Sequence, residues 1–403
     1  MAPRRTVRHP TNHFFDHTPD SLRAWCQAPG RGWPAFRAKQ IAEWVYLKGV
    51  SDPAAMTNLS KSDRDRLAAE MTFISGDTIA HHTASDGTQK LLIQWSDGDP
   101  PARAAGEPSP LAVLHRAPTD ASRQTECVMI PADWDDDAKG GRGDFSRKTA
   151  CISSQVGCPV GCRFCASGLG GLEGNLSAGR IVEQAWRLAR LPGVERITNI
   201  VFMGMGEPLA NFANVTRAVR TLAAGDGWGM GISARKITIS TVGLHQAIER
   251  LAEEMDLPIT LALSLHAPND ELRRQLIPWA SFTTIDQLLA ACAMWFEKTG
   301  REVTLEYTLL GGVNDSPSLA RQLADVASTL RANVNLIRYN EVRGLPFQRP
   351  RNDDVLNFQK ILRDRGINVH IRASRGRDIA AACGQLRHEA AVAATAAGVR
   401  PGP

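Results

Sequence analysis

From Thr149 onward the chain alternates short apolar runs with longer amphipathic stretches. Thr149–Ser153, Asn199–Met203, Lys236–Ser240, Ile259–Ser264, Thr304–Leu309, Val334–Arg338 and Asn368–Arg372 have the length and apolar content of buried strands. Between them, Ala178–Leu191, Asn211–Ala223, Leu244–Glu254, Thr284–Lys298, Ser318–Leu330 and Asp354–Arg365 read as helices. Strand-then-helix alternation predicts a parallel sheet, because parallel neighbours need a crossover between them. The stretch holds about six repeats, which fits a barrel of fewer than eight units, open at one side. An open doubly wound sheet is the alternative. The expected fold class is therefore α/β: a partial (β/α)6 barrel over 149–387 with a small N-terminal helical accessory domain.

Upstream the pattern differs. Residues 1–77 read as the helical unit, and Ile41, Trp44, Val45 and Leu47 fall at near-helical spacing. Ser60 or Ser62 is a candidate N-cap for a following helix. Residues 78–148 read as a β-rich connecting region with strands Gln89–Trp95 and Glu126–Ile130. Its segments Asp97–Gln124 and Trp134–Lys148 are polar loops. Asp135, Asp136 and Asp137 in the second lack a glycine-rich frame and read as a solvated loop rather than a metal site. Residues 388–403 read as a flexible tail.

The totals narrow the class. The chain has 403 residues and a net charge of +5, a mild excess compatible with a nucleic-acid substrate. No apolar run is long enough to span a bilayer, and the basic N-terminus lacks a secretory hydrophobic stretch, so a cytoplasmic protein with no membrane partner is expected. Eight cysteines, clustered rather than spread, suit metal and redox chemistry better than structural disulfides.

Three of them carry the strongest signal. Cys158, Cys162 and Cys165 stand at C-x3-C-x2-C spacing in CPVGCRFC. Three thiolates on one loop can hold three irons of a 4Fe-4S cluster and leave the fourth iron free to bind a substrate. Two other readings stay open: a four-cysteine zinc site that recruits Cys151, and a closed electron-transfer cluster. Polar or small residues also follow each strand candidate: GMGEP (204–208), STVG (240–243), SLHAPND (264–270), GGVND (311–315), YNEV (339–342) and SRGRDIAAACGQL (374–386). In a barrel such loops share one face, where active sites sit.

These segments, with CISSQVGCPVGCRFCASGLGG, NIVFMGMGEPLAN and LALSLHAPNDELRRQLIP, resemble the radical S-adenosylmethionine methyltransferases that act on carbon 2 of adenine in 23S ribosomal RNA and transfer RNA. The resemblance runs over about residues 35–387 and includes the N-terminal unit. It does not separate this family from relatives that modify carbon 8 of the same adenine and confer antibiotic resistance. A non-catalytic iron–sulfur or zinc protein is the alternative of another class.

The resemblance implies a methyl relay. Carbon 2 lies between two ring nitrogens and is too electron-poor to attack a sulfonium methyl group. Cys383 would take a methyl from one S-adenosylmethionine. A second molecule, cleaved at the 4Fe-4S cluster held by Cys158, Cys162 and Cys165, would supply a 5'-deoxyadenosyl radical that activates this methyl for addition to the ring. Glu126 would remove the carbon-2 proton, and Cys151 would release the product and leave a Cys151–Cys383 disulfide for an external reductant. Gly206 and Glu207 would meet the cofactor's amino group; Ser240, Ser264, Leu265, His266 and Asn340 would fix the rest of it. An electron donor of the flavodoxin or ferredoxin type is implied.

Taken singly, most of these residues have ordinary explanations. Cys383 could be a buried small residue, Cys151 an apolar strand position, Glu126 a surface carboxylate on an edge strand, and His266 a satisfied core histidine. Asn335 competes with Asn340, which is preferred because it stands just past its strand. Cys26, Cys127 and Cys292 read as packing residues. Lys39, Lys61, Arg163, Arg273, Arg274, Arg375 and Arg377 are candidates for RNA phosphate contacts.

Overall fold

Three antiparallel strands lie upstream of the expected barrel and belong to its sheet. They are β1 (Gly76–Thr83), β2 (Gln89–Trp95) and β3 (Gln124–Pro131). β4 (Lys148–Cys151) pairs antiparallel with β3 and parallel with β7 (Asn199–Phe202), so the sheet changes sense at β4. Between β4 and β7, β5 (Gln155–Gly157) and β6 (Leu172–Asn175) form a separate hairpin. β8 (Ile237–Thr241), β9 (Thr260–Ser264), β10 (Val303–Leu309), β11 (Ala332–Arg338) and β12 (Val369–Arg372) then add in parallel, in chain order. A doubly wound sheet reverses its strand order partway across, and this one does not. β1 and β12 end the ten-stranded sheet, so the barrel is open. The computed structural model describes residues 8–98, 123–131 and 147–386. The expected tail, the three adjacent aspartates and most of both polar loops lie outside them.

Helices fill the crossovers. They are α4 (Ala178–Leu188), α5 (Phe212–Ala223), α6 (His245–Glu254), α7 (Asp270–Leu276), α8 (Ile285–Thr299), α9 (Pro317–Ser328) and α10 (Asn352–Asp364). Each of the others agrees with a sequence-based segment to within a turn. The short α7 was not expected; Asn269 caps it by accepting the Leu272 amide hydrogen at 2.9 Å. Among the described residues no helix is long and apolar enough to cross a membrane.

The N-terminal unit is helical as expected, with α1 (Pro19–Gln27), α2 (Phe36–Tyr46) and α3 (Lys61–Glu70). Ser60 rather than Ser62 caps α3, through the Asp63 amide. Ile41, Ala42 and Val45 bury the inner stripe of α2, whereas Leu47 falls past the helix end and is 66% exposed. This unit packs on α4, which explains why α4 is buried on every side although its sequence is amphipathic. Trp186 Nε1 of α4 donates to the Val45 carbonyl at 2.9 Å. Glu183 of α4 lies 3.2 Å from His13 and accepts the Ser75 amide and hydroxyl at 3.0 and 2.7 Å. Arg187, one helical turn on, donates twice to the same carboxylate. Burial alone would push the Glu183 carboxyl up, but Arg187 and His13 overcome it and hold it near 2.

Candidate active site

The β5–β6 hairpin frames the loop that carries the cysteine triplet. Cys158 donates its amide hydrogen to Gly171 O at 2.9 Å, and Arg163 donates to Leu276 O at 3.0 Å. The loop is also stitched to the far end of the chain. Ala166 N donates to Gly384 O at 2.8 Å, and Ser167 Oγ to Leu386 O at 2.6 Å. These two bonds bring Cys383 beside the triplet, although more than two hundred residues separate them in sequence.

Cys158, Cys162, Cys165 and Cys383 line one cleft, with about 920 Å³ of unfilled space. Gly206, Glu207, Ser240, Ser264 and His266 line it too. The triplet thiols are half-buried, and loss of solvent raises each of them, Cys158 to about 12. Such thiols stay protonated until a cationic centre replaces the proton. Among the described residues no three His, Cys, Asp or Glu side chains group as a single ion requires. A cubane cluster takes one thiolate per iron and does not need them to converge, so the triplet fits it better than a zinc ion.

The cofactor candidates divide into those in the cleft and those beside it. Gly206 has φ +106°, and a Cβ there would lie 2.7 Å from both Gln155 Cβ and Ser154 Oγ, so only glycine fits. Glu207 is buried, and burial raises its carboxyl to about 7. Its two oxygens accept the Leu209 and Val242 amide hydrogens at 3.0 and 2.9 Å; an ammonium would use the remaining lone pairs. The hydroxyls of Ser240 and Ser264 lie 3.2 Å apart.

His266 has φ +57°, in the left-handed region, and its Nδ1 accepts the Thr308 amide hydrogen at 3.0 Å. Burial, aided by Arg273, lowers it to about 3, so the ring is neutral and carries its hydrogen on Nε2. Its edge meets the Phe164 ring of the cysteine loop at 5.0 Å. Leu265 differs from its neighbours: its side chain is in the hydrophobic core, and its backbone bonds Glu306 and Arg273. Asn340 is also displaced from the cleft lining. Its Nδ2 donates to Cys383 O at 3.3 Å, which ties it to the Cys383 loop. Asn335, its competitor, donates to Glu306 Oε1 at 3.1 Å.

Cys151 ends β4 and is buried. Cys383 is exposed, but to the cleft; protein crowds round it, and desolvation raises its thiol. Arg372, in β12, is the nearby cation that opposes this effect on both thiols. The expected Cys151–Cys383 disulfide is absent: both are free thiols. A thiol in reach of the cleft is the form able to accept a methyl group, and a disulfide would block it. Glu126 is not a surface carboxylate. It is buried in β3 and pairs with Lys90 Nζ at 2.7 Å. Arg273 also moves out of its expected role. It is buried, and its guanidinium bonds the Leu265 and Val242 carbonyls, so it braces loops and cannot reach RNA. Arg163, Arg274, Lys61 and Arg377 are exposed.

Sequence reasoning missed Glu306, whose buried carboxyl lines the cleft with Oε2 unpartnered. Its signal was a lone charge inside the apolar run VTLEYTLL. It also missed the Asp86 turn between β1 and β2, which grips the Cys383 loop: Asp86 accepts the Gly376 amide hydrogen and Asp378 that of Ser85.

Known proteins match over this same region. The Radical SAM superfamily is matched at residues 152–323, and the ribosomal RNA large subunit methyltransferase N-terminal domain at 13–73. The chain is 40% identical over 377 residues to a probable dual-specificity RNA methyltransferase RlmN of Rhodopirellula baltica, covering 93% of this chain and 91% of that protein. It is 44% identical over 362 residues to the Symbiobacterium thermophilum relative of that name, covering 89% and 87%. To the dual-specificity RNA methyltransferase RlmN of Dichelobacter nodosus it is 39% identical over 382 residues, 93% of each chain. A crystal structure of a radical SAM methyltransferase from Sphaerobacter thermophilus superposes with a TM-score of 0.80 at 40% identity, over 93% of this chain and 99% of that one.

Proposed function

Because the chain belongs to the RlmN family of radical S-adenosylmethionine methyltransferases, we propose that it methylates carbon 2 of adenine in 23S rRNA and in tRNA, with Cys383 as methyl carrier. The observation that carries this reading is the stitching of the Cys383 loop to the cysteine-triplet loop through Ala166–Gly384 and Ser167–Leu386. An electron-transfer protein has no use for a free thiol beside its cluster.

Cys158, Cys162 and Cys165 would hold a 4Fe-4S cluster, and Gly206, Glu207, Ser240, Ser264, His266 and the Leu265 backbone would hold S-adenosylmethionine. Together these groups supply, when bound, the electron and the carbon radical that a ring carbon without nucleophilic character needs. The chain's own residues do the rest. Arg372 favours the thiolate at Cys383, which must be a nucleophile to accept a methyl group. Cys151, near enough to Cys383 for that thiol to raise its own, is the group that frees the product from Cys383. Glu126 is the base for the carbon-2 proton, and Asn340 fixes the Cys383 carbonyl. The reductant is external, of the flavodoxin or ferredoxin type, and the RNA substrates place the reaction in the cytoplasm.

Mass spectrometry of nucleosides from the two RNA pools, with and without this protein, tests the reading. A 2-methyladenosine signal in each pool is expected. An 8-methyladenosine signal at a different retention time, or no new nucleoside, would refute it.

A further inference from the structure

We propose that Lys90 is a positioning residue for the base: it keeps Glu126 ionised and aimed during proton abstraction, and ties it to the loop that carries Cys383. The proposal rests on Glu126 being that base.

Lys90 and Glu126 are diagonal neighbours. In the β2–β3 ladder Lys90 stands opposite Val128, and Glu126 opposite Leu92. Residues two apart on facing antiparallel strands share a face and are within reach of a long side chain. Nζ and Oε1 are 2.7 Å apart, and both side chains are more than nine-tenths buried. Every residue of β2 is buried. A well-packed apolar pair would serve such a sheet at least as well as an ion pair, so fold stability does not account for these charges.

The second bond of Lys90 gives the pair a direction. Nζ also donates to Ala380 O at 3.2 Å, three residues before Cys383. Ala380 is one of the described non-glycine residues with positive φ, at +51°. The strand that presents the base and the loop that presents the methyl carrier therefore share one ammonium. When the carbon-2 proton passes to Glu126, the C–H electron pair stays with the adduct and the carboxylate becomes neutral. The Coulombic hold on Lys90 then weakens, and the Ala380 carbonyl keeps the ammonium in place for the next cycle. Cys127 of β3 is a further titratable group that senses the Glu126 charge.

The test compares Lys90→Met, Lys90→Arg and Glu126→Gln in reconstituted holoenzyme with an RNA fragment containing the target adenine. Cys383 methylation is read by peptide mass, the Cys383–RNA adduct on denaturing gels, and product formation as a function of pH. Lys90→Met is expected still to methylate Cys383, and to accumulate the adduct because proton abstraction is impaired. Its product formation should fall by roughly tenfold or more. Without the cation beside it the Glu126 carboxylate loses its stabilising counter-charge, so the acid limb of the pH profile should move to higher pH. Lys90→Arg should restore most of the rate, because it keeps the charge. Four outcomes overturn the proposal. Lys90→Met could resolve the adduct at the wild-type rate, or lose Cys383 methylation and adduct together with an unmoved acid limb, which marks a scaffold role. Normal turnover by Glu126→Gln would remove the base assignment itself, and the proposal with it; an adduct trapped by Glu126→Gln alone removes only the role of Lys90.

Discussion

The Asp86 carboxylate accepts the Gly376 amide hydrogen at 2.9 Å, across 290 residues of chain. It joins the β1–β2 turn to the loop that carries Cys383, on the side of the barrel where no strand pairing closes the sheet. Asp86 also accepts the Thr88 amide hydrogen at 2.9 Å, through its other oxygen, so the turn and the loop share one carboxylate.

Asp86→Ala should therefore loosen that loop more than the fold. A loss of about 1 kcal/mol in stability is expected for this partly exposed group. Amide hydrogen exchange at 376–384 should quicken, and methylation of Cys383 should slow, while iron content stays unchanged. Burial pushes the Asp86 carboxyl up, but the Gly376 and Thr88 groups outweigh it, so its folded value is lowered. The clasp is then fully present above the ordinary aspartate value near 4 and is lost as pH falls through the lower folded value. Unchanged exchange in Asp86→Ala would contradict this.

The two relay thiols should separate by phenotype. Cys383→Ala is expected to abolish methyl transfer with the cluster retained, read by iron content and RNA methylation side by side. Cys151→Ala should still load Cys383 and trap RNA as a covalent adduct on a denaturing gel. Full product from the first variant, or no crosslink from the second, contradicts the assignments.

Gly206→Ala should weaken S-adenosylmethionine binding. The new Cβ would strike Gln155 and Ser154 at 2.7 Å, in a backbone conformation that alanine rarely adopts. Calorimetric titration of the reconstituted protein measures the affinity, and a loss of roughly tenfold or more is expected, with the iron content of the wild type.

Glu183 anchors the N-terminal unit, and its neutralisation should release it. Glu183→Gln leaves Arg187 buried without its counter-charge, at a cost of about 3 kcal/mol. Thermal melts and limited proteolysis between residues 8 and 75 would register the release. Because the Glu183 carboxyl is held near 2 against an ordinary value of 4.5, its contribution is present above about 4.5 and fades as pH falls toward 2. The variant should lack this acid-sensitive component.

Much of this architecture was legible in the residues, for reasons that differ by element. The parallel strands are buried on both faces and so read as continuous apolar runs, as at Leu261–Leu263. Their ends were visible because glycine and polar clusters follow them. β1 escaped because its sequence, GDTIAHHT, sits at a sheet edge and is only half-buried. α4 suggested one apolar face, and its second burial surface depends on a partner more than a hundred residues away in the N-terminal unit. The triplet was legible because metal chemistry fixes its spacing. Lys90 and Asp86 were not, because each bonds the Cys383 loop 290 residues away and neither has a motif of its own. Arg273 was misassigned because charge alone cannot tell a brace from a phosphate contact.

The boundaries of the superfamily match divide the catalytic labour. Residues 152–323 contain the thiol triplet and the strand-end residues expected to bind the sulfonium. Cys151, Glu126, Asn340 and Cys383 all fall outside it, on β3 and β4 or in the loops that follow β11 and β12. On the proposed assignment, a generic radical generator acquires its particular reaction from flanking polypeptide, grafted onto both free margins of an unclosed sheet. A complete eight-unit ring would have offered no margin on which such additions could be built.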